Sequence, residues 1–453
     1  MCTTCRCGGD LTAKIHVSPL EKRLLLPVVR TRTGLWILTA FLLAVVLWGA
    51  YAYSVQLRNG LAVTGLNDRV SWGLYVSNFV FFIGISHAGT LVSAILRVTH
   101  AEWRRPITRM AEAITVFALI TGVLMVIVDL GRPERVQNLI VYGRIESPIL
   151  WDFTSISFYL SGSLLYLYLP LIPDLATMRD KMPRSAKWRR RLYAFFAMRW
   201  HGTPEQRKRL ERGISVMAIL IIPIAVSVHT VVSWIFSMTL RVGWHSAIFG
   251  PYFVVGAIFS GVATLIIVMA AVRHFMHFEK HLQPRHFRNL GLMLLALAIA
   301  LLYFTLSEYL TAGYGGVTSD LQWLSVLASG PYALMFWTML IAGFIAPIFI
   351  LGITRARSIR WVVVSAILVN VGMWMERFLI VVSTMGSPQM PTGLAFYTYW
   401  PTWVEWSILA GALAGFALLL VVFSKFFPLI SMWEVAETKP AQQTAPVPSG
   451  VVE

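Results

Sequence analysis

The chain has 453 residues, of which 57% are hydrophobic and only 13% charged, roughly half the charged share of a soluble protein. A net charge of +17 would suit a nucleic-acid binder, but the basic residues are distributed as membrane topology requires, so no nucleic-acid partner is expected. Long apolar runs recur along nearly the whole chain, and in lipid an unclosed backbone must be helical.

Residues 1–34 are polar and basic, with no apolar region of the signal-peptide kind, and are expected as a cytoplasmic segment without a cleavable leader. The stretch "MCTTCRC" holds Cys2, Cys5 and Cys7, the only three cysteines. Iron–sulfur and zinc sites usually take four ligands, so no metal is expected in this chain; a partial or shared site on these thiols is the alternative. Ten spanning helices are predicted at 35–57, 71–97, 108–129, 149–172, 214–238, 247–273, 289–313, 331–352, 360–384 and 403–424. With the N-terminus cytoplasmic, 31 of the 38 Lys and Arg lie inside, six lie outside, and Arg377 lies within a span. The positive-inside rule predicts this asymmetry. Both ends are therefore expected on the cytoplasmic side. The connection 173–213 carries twelve of the inner charges and is expected as a surface for anionic lipid headgroups or a partner protein. Residues 425–453 are expected as a disordered cytoplasmic tail, rich in Pro, Ala and Thr from 435 onward.

Spans two to five resemble spans six to nine. "WGLY" at 72–75 matches "FGPY" at 249–252, "SP" at 147–148 matches "GP" at 330–331, and Met238 matches Met385. Asp129 corresponds to Glu308, and His229 to Glu376. Four spans separate the copies, so both share one orientation, as in a parallel repeat. The expected fold is an all-α integral membrane protein with two side-by-side four-helix bundles, 71–238 and 247–384. The peripheral helices would be 35–57 and 403–424.

Titratable groups at membrane depth are costly and point to a site. The first bundle has His87, Asp129, Asp152 and His229; the second has Glu308, Glu376 and Arg377. His87 sits in "FFIGISHAGTLVSAIL" with Gly84, Thr90 and Ala94 at helical spacing, small enough to admit a helix or ligand. Asp129 and Asp152 stand at outer helix ends. His229 lies about 14 Å deep at 1.5 Å per residue, with His87 slightly past mid-membrane. The four are expected to line one pocket reaching inward from the outer face. Imidazole beside carboxylate suits a quinol, because it can bond a quinol oxygen and take its proton. The plainer reading is that each group satisfies a helix–helix hydrogen bond. An intramembrane haem is not expected: His87 and His229 are the only deep histidines, and their estimated depths differ by more than one turn.

Several longer motifs carry a resemblance. "WGLYVSNFVFFIGISHAGTLVSAILR", "VDLGRPER", "IPIAVSVHTVVSWIFSM", "GWHSAIFGPYFVVGAIFSG" and "WMERFLIVV" resemble the NrfD/PsrC family of membrane quinone-interacting subunits over about residues 35 to 425. Within that family the chain is most similar to the ActC type of bacterial alternative complex III. The resemblance implies a menaquinol or quinol site near the outer face of the first bundle, with His87 and Asp152 as leading contacts and Asp129 and His229 as further ones. Glu308, Glu376 and Arg377 would belong to a proton route. Iron–sulfur clusters and c-type haems would sit on partners: an iron–sulfur subunit, a multihaem cytochrome c, an ActF-like membrane subunit and small membrane subunits. The expected function is a quinol-oxidising electron-transfer subunit in the bacterial cytoplasmic membrane, inactive alone and coupled to proton translocation. The alternatives are a membrane anchor of a molybdenum or sulfur-compound oxidoreductase, or a secondary transporter. Transporters break helices at repeat interfaces; here "GPY" at 250–252 and 330–332 falls near helix starts.

Overall fold

The computed structural model describes residue 28 and residues 33–181, 187–353, 358–388 and 395–435. Cys2, Cys5 and Cys7, the side chain of Thr90 and the tail beyond 435 lie outside the described residues. Among these residues every regular element is helical, and ten helices are long and apolar enough to cross a membrane. They are α1 (Thr33–Asn59), α2 (Leu74–Val98), α3 (Thr108–Asp129), α4 (Pro148–Lys181) and α5 (Pro204–Ser237), then α6 (Phe249–Phe275), α7 (Pro284–Gly315), α8 (Ala333–Gly352), α9 (Ile359–Gly386) and α10 (Trp403–Phe426).

Local chemistry sets several of these ends. Thr203 caps α5 by accepting from the Gln206 amide at 3.3 Å, with Pro204 at the first helical position. Thr402 and Glu405 form a reciprocal capping box on α10. Gly316, in the left-handed region at φ 67°, closes α7. Within α8, Met339–Ile345 widens into a π-helical stretch. There Gly343 meets Gly372 of α9 so closely that a Cβ on Gly372 would collide with it.

One set of pairings occurs twice. In α2–α5, the contacts are α2 with α3, α3 with α4, α4 with α5 and α5 with α2; α6–α9 repeat this order. The two groups meet through α2 and α6, α5 and α6, and α2 and α9. Helix α1 packs on α10, where Gly49 and Gly411 bring the backbones together.

Two expectations, about the connection 173–213 and about the C-terminal tail, change. Helix α4 runs on to Lys181 and α5 starts at Pro204, so much of 173–213 is helix rather than loop. Between them Lys187–Phe196 forms a short basic helix tied to α10 through Tyr193, which donates to the Phe426 carbonyl at 2.8 Å. Pro170 and Pro173 resemble stop signals, but α4 continues past them because Asp174 is held by Arg109 of α3 at 2.5 Å. The expected tail also begins too early. Past α10, Leu429, Ile430 and Met432 are buried, and the segment folds back beneath α2–α4. Asp174 accepts from the Met432 and Trp433 amides at 3.0 and 3.3 Å. Arg109 donates to the Pro428 carbonyl at 3.2 Å. Arg97 pairs with Glu434 at 2.7 Å. Burial, reinforced by neighbouring Arg97, pulls the Arg104 guanidinium below its ordinary value, and Glu434 opposes that shift.

Candidate functional site

Helix α2 carries His87 to the middle of the first group. Two residues on, Gly89 lets α3 approach: a Cβ there would collide with the Ala111 carbonyl. The Ser86 carbonyl accepts from Thr115 of α3 at 2.7 Å and from Tyr159 of α4 at 3.0 Å. His87 is fully buried. Its Nδ1 lies 2.9 Å from the Ile83 carbonyl, and its Nε2 lies 2.6 Å from the Ala225 carbonyl of α5. A neutral imidazole has one N–H to donate, so only the doubly protonated ring satisfies both acceptors.

One turn along α5 from Ala225, His229 lays its ring against His87, with centroids 3.9 Å apart. Among the described residues neither His229 nitrogen has a hydrogen bond. Counting from the outer helix ends places the two residues about 8 Å apart in depth. Their contact means that the outer ends of α2 and α5 are staggered by about a turn and a half. The depth difference expected from the sequence does not hold, because it assumed level ends.

Asp152 shares the inward face of α4 with Tyr159, whose ring centroid is 5.0 Å from that of His87. The seven-residue step between them spans about 10 Å. Asp152 is buried, and its Oδ1 has no hydrogen bond among the described residues. A groove of about 580 Å³ opens between α4 and α5, lined by residues including Trp151, Ser155, Phe158, Ile224 and Ser227; neither Asp152 nor either histidine lines it. Two lining residues, Ile224 and Ser227, flank the Ala225 carbonyl that holds His87.

Asp129 stands apart, at the end of α3 that faces α1. There Gln56 donates to the Val128 carbonyl at 2.9 Å and accepts from Tyr75 at 2.6 Å. Among the described residues no hydrogen bond or ion pair joins Asp129 to Asp152 or to either histidine.

The central polar residues of the second group include a carboxylate and a guanidinium, with one Glu376 oxygen and both Arg377 Nη atoms lacking a hydrogen bond among the described residues. Glu376 accepts from Tyr252, whose hydroxyl lies 3.3 Å from Thr305. One turn outward on α7, Glu308 accepts from Ser246 at 2.5 Å. Arg377 approaches the Glu376 carboxylate at 3.5 Å and stacks 4.6 Å over Phe253. Its guanidinium fills a notch at Gly256 of α6, where a Cβ would collide with Nη2. The structure thus pairs Glu376 with Arg377 and links Glu376 through Tyr252 to Thr305, one turn from Glu308 on α7; among the described residues no hydrogen bond or ion pair joins this set to the histidine pair.

Sequence reasoning missed Tyr159, Tyr166, Arg109, Glu112 and Asp174. Arg109 and Glu112 lie one turn apart inside the third predicted span, which was the available signal. The two tyrosines carry no formal charge and blend into the aromatic background. Among the described residues no three His, Cys, Asp or Glu side chains gather as metal ligands would.

Comparison with known proteins agrees with this architecture. An integral membrane subunit of an Hdr-like menaquinol oxidoreductase from Archaeoglobus fulgidus is 26% identical, covering 88% of this chain and 95% of the relative. A selenate reductase component of Mesobacillus selenatarsenatis is 23% identical over 84% of this chain and 92% of its own length. The integral membrane subunit of a menaquinone reductase from Nitratidesulfovibrio vulgaris is 22% identical over 84% and 88%. The family described as "Polysulphide reductase, NrfD" matches residues 62–387, most of the chain. This chain is therefore a multi-pass membrane protein of the NrfD family.

Proposed function

We propose that this chain is the quinol-binding subunit of a multisubunit oxidoreductase of the alternative complex III kind, in the bacterial cytoplasmic membrane with both ends inside. Quinol enters by the groove between α4 and α5, and its head group lies between Asp152 and His229. The carrying observation is that two nitrogens of His229 and one oxygen of Asp152 are buried without a hydrogen bond among the described residues, on the two helices between which the groove opens. Buried polar atoms are normally satisfied, and those that are not call for a ligand, water or proton. The names of two relatives, a menaquinol oxidoreductase subunit and a menaquinone reductase subunit, support menaquinol as substrate.

Oxidation of one quinol gives one quinone, two protons and two electrons. His229 accepts one proton, with His87 as the next carrier because it alone offers two backbone acceptors to a doubly protonated ring. Asp152 orients the other hydroxyl and accepts the second proton. An iron–sulfur cluster on a partner subunit, with c-type haems beyond it, would supply the acceptor for the two electrons. Arg377, Glu376, Tyr252, Thr305 and Glu308 form a proton exit toward the outer side, which couples turnover to translocation. The test is quinol oxidation by the native assembly carrying His229→Ala or His87→Ala. Turnover should fall on the order of 100-fold or more, the usual contribution of general acid–base groups, with the subunits still co-purifying. Wild-type turnover in both variants would refute the proposal. The same geometry run backward reduces quinone; co-purification with a molybdenum subunit in place of a multihaem cytochrome would assign that direction.

A further inference from the structure

We propose that the first helix group contains a second proton route, a column leading from the histidine pair to the inner mouth of the bundle, with Glu112 as its central carrier. It rests on the reading of the histidine pair as the place where protons are loaded.

The column follows the inward face of α4. Asp152, Tyr159, Ser163 and Tyr166 are all buried there, at the three- and four-residue steps that keep one helix face. Tyr159 touches His87, and Tyr166 lies about 10 Å further in. Between them the Ser163 hydroxyl is buried and makes no hydrogen bond. At the level of Tyr166, Ser93 of α2 donates to Glu112 of α3 at 2.9 Å and lies 3.2 Å from the Tyr166 hydroxyl. The other Glu112 oxygen is buried without a partner.

The nearby Asp174 shows what a structural carboxylate looks like in this fold. It takes Arg109 and two backbone amides. Arg109 in turn also binds the Pro170 and Pro428 carbonyls and Ser431, so its hydrogen bonds hold the C-terminal strap and none goes to Glu112, although its charge and that of Arg97 are felt there. Glu112 has one hydroxyl donor and one open oxygen, which suits a group that gains and gives protons. Its inner neighbour is Glu434, within electrostatic range and held by Arg97 at the mouth. Along α4 the rise from Tyr159 to Ser163 is about 6 Å and from Ser163 to Tyr166 about 4.5 Å, steps for which the column needs bridging water. Each carrier takes a proton from one side and passes another onward, so the column is unchanged after each crossing.

The experiment uses the native assembly in proteoliposomes, with a pH-sensitive dye on the side of the inner mouth. Wild type should show a proton signal there during quinol turnover. Glu112→Gln should cut it by about tenfold or more, and Glu112→Asp should retain a measurable share, as expected for an acid–base carrier. No inner-side signal from wild type, or an equal signal from Glu112→Gln, overturns the proposal. A second reading needs no turnover or altered fold. In resting wild type, infrared spectra should show a buried carboxyl band at Glu112 that exchanges in heavy water within minutes, and Tyr166→Phe should slow that exchange. A band that does not exchange also overturns the column. The quinol site is judged separately, by turnover of His87→Ala.

Discussion

The two helix groups share one set of pairings and differ in how their central polar groups are satisfied. In α6–α9, Glu376 has a tyrosine donor and a cation beside it, and the arginine has an aromatic shelf and a fitted notch, although one Glu376 oxygen and both Arg377 Nη atoms have no hydrogen bond among the described residues. In α2–α5, His229, Asp152, Ser163 and Glu112 each keep at least one buried atom without a hydrogen bond among the described residues, and no cation touches the histidine pair. A repeated fold thus carries one half centred on a carboxylate–guanidinium pair and one half centred on two imidazoles in contact. The polar residues alone would not reveal this, since both halves have them at matching positions.

The strongest way to break the comparison is to remove the open groups. His229→Ala or Asp152→Asn should lower quinol turnover on the order of 100-fold or more, read as kcat in the native assembly; Asp152→Asn keeps the side-chain volume and should leave stability nearly unchanged, whereas His229→Ala also leaves a cavity beside His87. Tyr252→Phe in the second group should do the reverse. It removes the donor to Glu376 and should cost about 1–3 kcal/mol in thermal or denaturant unfolding, with only a moderate loss of turnover. Gly256→Ala should destabilise by a similar or smaller amount, about 1–3 kcal/mol, because Arg377 must leave its notch. The smallest expected effect is at the groove. Trp151→Ala removes one aromatic contact of about 0.5–1.5 kcal/mol, which should appear as a several-fold rise in KM with kcat nearly constant.

Much of the architecture is legible in the sequence, because crossing lipid imposes a length and a composition on each segment. The ten helices lie close to their predicted positions, and the repeat seen in "WGLY" and "FGPY" corresponds to equivalent packing of α2 and α6. What could not be read is what depends on tilt and on satisfaction. His87 and His229 touch although residue counting separates them. Asp129 sits next to the Val128 carbonyl that Gln56 holds and, among the described residues, makes no bond to Asp152, because a helix end alone does not reveal which neighbour its last side chain meets. Arg109 reads as one more inner-side charge until Asp174 appears opposite it, beyond the point where two prolines suggested that α4 would stop. The strap after Phe427 reads as tail because its burial comes from distant partners on α2, α3 and α4.

The central claim is that quinol is handled between α4 and α5 of the first group. Photolabelling the native assembly with an azido-quinone, followed by peptide mapping, tests it most directly. Adducts on Trp151–Phe158 and Ile224–Ser227, suppressed by excess quinol, are the predicted result. Adducts confined to α6–α9, with the α4–α5 peptides unlabelled, would contradict it.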